Sequence, residues 1–576
     1  MLKKFQLSKK WFTILSYTII LASWIKMPFY GFFSFHDGFI FVLTKFTRES
    51  LLNGGPWPWN QYGLFWNFPY VASTLAFDYK YQFLAIRITA ILIYFITTIM
   101  LFTFSKKYFG KQLAHIATLI FLSFVPFGFD LLPWPSTVNI ILTIAIIVAV
   151  FTVLDLESNH KKTYILKLTY LSTLSVAMIF TRFQIGILYF AFISLLFWLK
   201  HSILYLKLYL IFSTLLTLSF LVFFQSKGWL GDALFDQLIF SQSYLKDGIA
   251  FIPIPKGTIL FIVIFAIIHT LTHRIIGLKR SLKTYPISSH ILLFAFIFFL
   301  FYVLFKFEFG STNFISFLSW VRGRITVSFI IFVVSVYTFR LIKKIFLARD
   351  KRRLFICSII SEFALIGFSA ISLVQIYPFF DPLHAWWGSV PGVILIVQFI
   401  RSEAIFFGYD IKARFILQEV FVVLIIIAYI LPLFLQRNNF PASFDAVNFK
   451  GIYVSQTAAL DANSKNRFFL KNLKSNSSVL NLCEDSDAFF AESQIRSASR
   501  FFVYYHGFIR IPEVWNNMRE SDPNFIVRCY SESNSSWDVE TIYEHNRLIN
   551  ELGNSFIVLD KLMESNGRVW EILGKR

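Results

Sequence analysis

Residues 35–69 of the 576-residue chain read FHDGFIFVLTKFTRESLLNGGPWPWNQYGLFWNFP, a stretch with glycines, prolines and charges between two apolar runs. The preceding run, residues 11–30, is long enough to cross a bilayer as a helix. Asp37 follows it directly, so a carboxylate stands where the chain leaves the membrane. Ionisable groups near membrane depth are costly and usually functional. We therefore predict a site at the membrane surface, with Asp37 as its reactive group.

The composition is that of a polytopic membrane protein. Hydrophobic residues make up 56% of the chain and aromatic residues 19%, and the mean hydropathy is +0.62. These values lie far above those of ordinary soluble domains. Apolar runs of about 18 residues or more recur between short basic turns. No small-residue cleavage site follows the first run, so we expect a retained membrane helix rather than a signal peptide.

The formal charge of +21 is unevenly distributed along the chain. Lys and Arg are concentrated in alternate turns between the apolar runs, whereas the part after residue 435 is close to neutral. This asymmetry follows the positive-inside rule, which places the basic turns and the N-terminus in the cytoplasm. A basic face at a bilayer also explains the net charge better than nucleic-acid binding does.

The fold class predicted from these patterns is an α-helical polytopic membrane protein with about thirteen transmembrane helices in residues 1–435. One outer loop is expected at about 31–82 and another at about 226–257. A short outer turn at residues 182–184 separates the fifth span from the sixth. The clearest spans are expected at about 84–104, 113–128, 137–154, 207–225 and 416–435.

Residues 436–576 are expected to form a soluble extracytoplasmic domain, because the composition becomes polar there. Helix-like stretches such as 539–552 alternate with short apolar runs at 451–455, 478–482, 501–505, 525–527 and 555–559. Strands that alternate with helices favour a small α/β domain with a largely parallel sheet. Cys483 and Cys529 both lie in this domain, but their spacing does not decide whether they pair.

Further acidic groups are expected at the outer ends of the spans. Asp130 lies in a Pro/Trp-rich turn, either as a second acidic site or as a solvated turn residue. Asp381 and His384 are three residues apart and would share one face of a helix. Asp37 itself can serve as a general base or a metal ligand. Its sequence context, Asp-Gly-Phe-Ile, also fits a plain helix N-cap.

Basic residues also occur on the predicted outer side, against the positive-inside rule. They are Arg182, Lys256, Lys306, Arg322 and Arg324. The guanidinium fork of arginine matches phosphate, so these residues are candidate phosphate ligands. Arg182 is the most informative because it interrupts an apolar stretch, although a side chain that snorkels to the interface would explain it too. The sequence carries no His/Cys metal motif and no nucleophile–His–Asp motif.

The segment LLNGGPWPWNQYG, which follows a first helix ending in Asp37, resembles the first outer loop of GT-C-type membrane glycosyltransferases. That family has a second acidic site after the third helix, a basic residue between helices 5 and 6, and roughly thirteen spans. Some members, such as oligosaccharyltransferase catalytic subunits, end in an outer soluble domain. Asp130, TRFQIG at 181–186 and residues 436–576 stand at the matching places. Residues 377–391, YPFFDPLHAWWGSVP, are similar to a late Pro–Asp–His–Pro segment of related bacterial proteins.

The resemblance implies an enzyme of the bacterial plasma (inner) membrane that moves a sugar from a polyprenyl-phosphate-linked donor. The acceptor would be an envelope glycan, a lipid or a protein on the extracytoplasmic face. Asp37 would act as the general base of an inverting transfer. The donor phosphate or substrate would be bound by Arg182, Arg322, Arg324, Lys256, Asp381 and His384.

Two departures from the family pattern bear on its chemistry. Asp37 and Asp130 each lack the neighbouring acid that the family motifs carry, so a divalent cation held by them is one option and the cofactor stays undetermined. The Trp-Trp-Asp sequon signature of oligosaccharyltransferases is absent, which argues against protein N-glycosylation.

The main alternative is a transporter or lipid flippase, and a non-catalytic scaffold is a third hypothesis. Transporters usually place ionisable groups near the middle of the bilayer and are often built from repeats. Here the charged groups cluster at the outer ends of the spans and no repeat is evident.

Overall fold

The chain folds into a helical part followed by a sheet domain. The computed structural model describes residues 2–29, 37–60, 63, 65–124, 133–155, 161–200, 203–240, 256–278, 326–347, 359–376, 387–406, 423, 426, 442–443, 449–450, 452–489, 495–505, 508–531, 536–553 and 556–576. The helices of the first part are α1 (Leu2–Lys26), α2 (Phe39–Asn53), α3 (Phe68–Ala76), α4 (Gln82–Phe109), α5 (Lys111–Phe124), α6 (Pro135–Leu154), α7 (Lys161–Thr181), α8 (Phe183–Leu199), α9 (Ile203–Ser226), α10 (Leu230–Leu234), α11 (Lys256–Leu278), α12 (Thr326–Leu347), α13 (Ile360–Ser372) and α14 (Gly392–Phe406).

Five helical segments in the described residues are long and apolar enough to cross a membrane. They are Trp11–Phe29, Gln82–Phe109, Pro135–Leu154, Thr163–Thr181 and Ile203–Ser226. Shorter apolar helices, including Phe183–Leu199 and Ile360–Gln375, pack among them. The predicted total of about thirteen spans is not confirmed. The ninth span, expected before Lys306, and nearly all of the thirteenth lie outside the described residues.

The two ends of the helices differ in their side-chain chemistry. Lysines and arginines are neutralised by acids at the end predicted to face the cytoplasm, through the pairs Lys107–Asp155, Arg340–Glu403 and Lys344–Glu362. The opposite end carries hydrogen-bonded polar groups between helices, such as Tyr94 with Thr137.

The segment predicted as the first outer loop contains two helices, α2 and α3. The side chains of residues 39–47 are all buried. Asn67 fixes α3 to α2, because it accepts a hydrogen bond from Thr44 (2.9 Å) and donates one to Thr47 (2.7 Å). The apolar residues of α2 are buried outside the bilayer spans because the C-terminal domain packs against them, as Phe41 does against Phe449.

The C-terminal domain contains a five-stranded sheet flanked by helices. Its elements are β1 (Ala442–Ser443), β2 (Tyr453–Val454), α15 (Gln456–Asn472), β3 (Ser478–Leu482), β4 (Arg496–Ser497), α16 (Pro512–Arg519), β5 (Phe525–Ser531), α17 (Ser536–Glu551), β6 (Phe556–Met563) and β7 (Arg568–Lys575). The strand order is β4-β3-β5-β7-β6. The α/β class is therefore as predicted.

The prediction of a largely parallel sheet is wrong. β3 pairs in parallel with β4 and β5, whereas β7 pairs antiparallel with both β5 and β6. The reason is a tight β6–β7 hairpin at Ser565-Asn566-Gly567, where Gly567 has φ +82°, a turn signal that predicts antiparallel strands. Residues 501–505, predicted as a strand, form none.

A disulfide joins Cys483, just after β3, to Cys529 in β5, with their Cα atoms 5.4 Å apart. The two cysteines meet because β3 and β5 are parallel neighbours. Sequence spacing could not show this, since the pairing depends on sheet order.

Candidate active site

Asp37 forms a buried ion pair with Arg87, which lies in the second turn of α4. The Asp37 Oδ2 and Arg87 Nη2 atoms are 2.7 Å apart and both side chains are fully buried. Arg87 also donates to the carbonyl of Pro28 (3.3 Å) and lies over the Phe83 ring. The helix that follows has Gly38 as its N-cap residue and no side-chain cap. Asp37 therefore pairs with a guanidinium rather than capping α2.

Arg87 was not identified from the sequence. Its signal was present, because a charged residue one turn inside an apolar span is expensive unless it has a partner. The partner could not be named, since Asp37 lies 50 residues earlier in the chain.

Arg182 lies between α7 and α8, where three helix ends meet. Its Nη1 donates to Gln375 Oε1 (3.0 Å) and to Ser136 Oγ (3.5 Å). Gln375 also accepts from Asn139 and donates to Ser372. These contacts orient the guanidinium. The sequence correctly predicted the turn at Arg182 but could not identify its partners.

Polar side chains also link α4 and α6 near Arg182. Tyr94, two turns after Arg87 on α4, lies 3.1 Å (Oη to Oγ1) from Thr137 on α6. Thr137 adjoins Ser136, which contacts Arg182. A hydroxyl-rich strip thus connects α4, α6 and α8, and it gives this end of the bundle groups that can bind a polar ligand.

The glycine-rich loop of residues 54–63 packs onto the turn that carries Arg182. A side chain at Gly63 would place its Cβ 2.5 Å from the carbonyl oxygens of Phe180 and Thr181. Gly63 also has φ +126°, which favours glycine. Asn60 holds the loop from within, since its Oδ1 accepts from Trp66 Nε1 (3.0 Å). The loop that follows α2 is therefore in direct contact with the turn at Arg182.

Two tryptophans of this loop anchor it in different directions. Trp57 packs against Trp229, just beyond α9, with ring centroids 5.2 Å apart. Trp59 contacts Phe39 edge-on (5.9 Å between centroids). Phe39 in turn stacks on Phe502 of the C-terminal domain (5.2 Å). The start of α2, two residues after Asp37, is thus enclosed by the loop and the C-terminal domain.

Asp236, which follows α10, joins the loops to the C-terminal domain. Its Oδ2 accepts from the Asn60 backbone N–H (3.0 Å) and from Arg500 Nη1 (3.2 Å). Arg500 Nε also lies 3.3 Å from Asp232 Oδ1. Burial raises the pKa of Asp236 to about 7, although Arg500 and the Asn60 amide oppose this shift. Arg500 was not identified from the sequence, because no motif surrounds it.

Most of the other predicted site residues cannot be assigned a position. Asp130, Lys306, Arg322, Arg324, Asp381 and His384 lie outside the described residues. Lys256 begins α11, and its side chain is not described. Their roles stay predictions.

A divalent cation is not supported by the described part of the site. In these residues no group of three His, Cys, Asp or Glu side chains could hold a metal ion. Asp37 contacts a guanidinium, which is a poor neighbour for a cation. Asp130, the expected second ligand, lies outside the described residues.

Comparison with solved structures finds likenesses over most of the chain. The oligosaccharyltransferase of Archaeoglobus fulgidus, tethered with an acceptor peptide containing the NVT sequon, gives a TM-score of 0.50 at 11% identity, covering 99% of this chain and 74% of that one. The complex of the same oligosaccharyltransferase with Zn and sulfate gives a TM-score of 0.49 at 11% identity, covering 90% of this chain and 67% of that one. ArnT from Cupriavidus metallidurans bound to undecaprenyl phosphate gives 0.43 at 12% identity, covering 97% of each chain. No family model matches, and no curated protein matches significantly.

The likeness to the peptide-tethered oligosaccharyltransferase, at a TM-score of 0.50, extends over both the helical part and the sheet domain. It confirms, as a likeness of fold, the expected resemblance to GT-C-type membrane glycosyltransferases. At 11% identity it assigns no role to any residue of this chain.

Proposed function

We propose that this protein is a membrane glycosyltransferase that moves a sugar from a polyprenyl-phosphate-linked donor to an acceptor outside the cytoplasm. The acceptor would be an envelope glycan, a lipid or a protein. One observation carries the proposal: a chain with the fold of an oligosaccharyltransferase keeps a fully buried carboxylate, Asp37, directly after its first membrane helix. Buried charges are costly and are kept mainly where they have a function.

Asp37 is the general base in this proposal. It accepts the proton of the acceptor hydroxyl while that oxygen forms a bond to the anomeric carbon of the donor. The bond from the anomeric carbon to the phosphate oxygen breaks on the opposite face, with inversion, and its electron pair leaves with the lipid phosphate. Arg87 holds the carboxylate in a fixed orientation for this step.

Arg182 is proposed to bind the donor phosphate and to stabilise the charge that develops on it. Its contacts to Gln375 and Ser136 orient the guanidinium for this role. We propose that Arg322, Arg324, Lys256, Asp381 and His384 help to bind the donor phosphate or the substrate. We propose Asp130 as a second acidic site. No step is assigned to a metal.

We further propose that residues 1–435 form the membrane domain, with a cytoplasmic N-terminus and outer loops at about 31–82 and 226–257. Residues 436–576 would lie outside the cytoplasm, in a bacterial plasma (inner) membrane protein. The Cys483–Cys529 disulfide supports this location, because disulfides persist in oxidising compartments.

The test is native mass spectrometry of the purified full-length protein with polyprenyl phosphate and its sugar-charged forms. We expect the wild type to retain the lipid. The amount of lipid bound to Arg182→Gln should be at least about tenfold lower. Asp37→Asn should retain the charged donor and slow transfer by about 10²–10⁴-fold. Asp155→Asn, at the other end of the bundle, should match the wild type.

A second variant is needed to separate loss of stability from loss of catalysis, because Asp37→Asn leaves Arg87 buried without its counter-charge. Removing one partner of a buried pair costs about 3–5 kcal/mol. The double variant Asp37→Asn/Arg87→Gln neutralises both groups and should regain stability but not transfer. Transfer at the wild-type rate in Asp37→Asn or in Asp37→Asn/Arg87→Gln would overturn the role of Asp37. Lipid movement across vesicles without sugar transfer would favour the flippase alternative.

A further inference from the structure

Arg500 connects the C-terminal domain to both outer loops. Its guanidinium contacts the carboxylates of Asp236 and Asp232, and its backbone carbonyl accepts the N–H of Trp59 (3.0 Å). The ring of contacts closes through Asn60, the residue after Trp59, whose N–H donates to Asp236 (3.0 Å). One residue of the C-terminal domain thus holds the loop after α2 and the segment after α9 together.

This junction is buried, and charge holds it together. Asp236 is fully buried and the Arg500 side chain is only 5% exposed. A buried carboxylate and guanidinium lose their hydration, so each depends on the other and on added hydrogen bonds. Exposed ion pairs in the same domain, such as Arg510 with Glu540, carry no such dependence.

The junction is linked to the start of α2 by aromatic contacts. Phe502, two residues after Arg500, stacks on Phe39, which is two residues after Asp37. Trp59, bound by the Arg500 carbonyl, packs on the same Phe39 ring. A shift of the segment around Arg500 therefore moves both surfaces that enclose the start of α2.

We propose that Arg500 is a positioning residue for Asp37: it clamps Asp236 and Trp59 so that the C-terminal domain sets the position of the start of α2. The inference rests on the proposed transferase function and gives the C-terminal domain a part in the reaction. Arg500 acts through Phe39 and Phe502, not on the substrate.

The first arm of the test measures position without any activity. Hydrogen exchange of the full-length protein is compared for the wild type, Arg500→Gln and the control Arg510→Gln. In Arg500→Gln we expect at least about tenfold faster exchange at the Asn60 amide and at amides 39–41. Arg510→Gln should match the wild type. Unchanged exchange at amides 39–41 in Arg500→Gln would overturn the proposal, whether or not the protein transfers sugar.

The second arm measures the transfer reaction. Arg500→Gln should lower kcat at least about tenfold and change KM for the lipid donor less than about threefold, because Arg182 stays in place. Arg500→Lys keeps one charge and should recover part of kcat. Equal kcat in all three proteins would overturn the proposal. If the wild type transfers no sugar but Arg500→Gln still exchanges faster, the transferase function is rejected. The conclusion that Arg500 positions α2 would then still stand.

The pH profile adds a signature that lost packing would not produce. Burial raises the pKa of Asp236 to about 7; Arg500 and the Asn60 amide contact its carboxylate and oppose this shift, and the negative charge of Asp232 adds to it. Protonation below pH 7 weakens the pair with Arg500, so kcat should fall with an inflection near pH 7. This inflection should be absent in Asp236→Asn, and its persistence there would contradict the role of the junction.

Discussion

Asp37 and Arg87 show how a single pair decides the chemistry of a residue. Asp37 alone is ambiguous, since Asp-Gly-Phe-Ile fits a helix N-cap as well as a reactive carboxylate. In the structure its carboxylate lies 2.7 Å from a guanidinium, out of water. Such a pair has a fixed geometry, because neither charge can leave its partner without a large desolvation cost. This rigidity is what a positioned base needs.

His545 shows the opposite case, a buried titratable group without a hydrogen-bond partner among the described residues. Burial lowers its pKa to about 3, and nearby Arg528 acts in the same direction. An unfolded histidine binds a proton below its ordinary pKa of 6.5, whereas folded His545 does so only near 3. The stability from this group is therefore present above pH 6.5 and lost as the pH falls towards 3.

We predict that His545→Phe reduces acid destabilisation. Phenylalanine keeps the edge-on packing against Tyr504 and cannot take up a proton. When the pH is lowered from 6.5 to 5, the free energy of unfolding of the wild type should fall by about 2 kcal/mol more than that of the variant. Thermal unfolding of both proteins at the two pH values measures this, with Tyr543→Phe on the exposed face of α17 as the control. The same loss in His545→Phe would mean that other groups cause the acid sensitivity.

At the scale of elements, the sequence predicted most helices from their apolar length. The turn at Arg182 and strand β3 fall where expected, since α7 ends at Thr181 and β3 spans Ser478–Leu482. It did not predict α2 as a buried helix, because the burial of its apolar face depends on a domain some 400 residues later. The β6–β7 hairpin was missed although Asn566-Gly567 carries its turn signal.

Gly63 tests how the loop of residues 54–63 is joined to the α7–α8 turn. In Gly63→Ala the new Cβ would clash with two backbone carbonyls and meet a left-handed φ. We expect a loss of about 1–3 kcal/mol in unfolding free energy, with weaker retention of lipid phosphate because Arg182 adjoins this contact. Thermal unfolding and native mass spectrometry measure the two effects. Gly231→Ala, where no atom lies within 4 Å, should change neither.

At the scale of the whole molecule, the alternating charge pattern predicts an orientation. We expect alkaline phosphatase fused after Arg576 to be active, because that enzyme needs disulfides that form outside the cytoplasm. A fusion after Asp155, at the opposite end of the bundle, should be at least about tenfold less active. Equal activities at the two positions would reject the proposed topology.

The sequence by itself determined the membrane class and the C-terminal α/β domain, and it singled out Asp37 as a candidate. These features follow from composition, apolar length and charge alternation, which are local properties of the chain. Only the tertiary structure decided that Asp37 pairs with Arg87, that Cys483 meets Cys529, and that Arg500 joins the C-terminal domain to both outer loops. The physical reason is distance along the chain: the partners lie from 46 residues apart, for Cys483 and Cys529, to 441 apart (500 − 59), for Trp59 and Arg500. Their meeting depends on helix packing and sheet order, which no local pattern encodes.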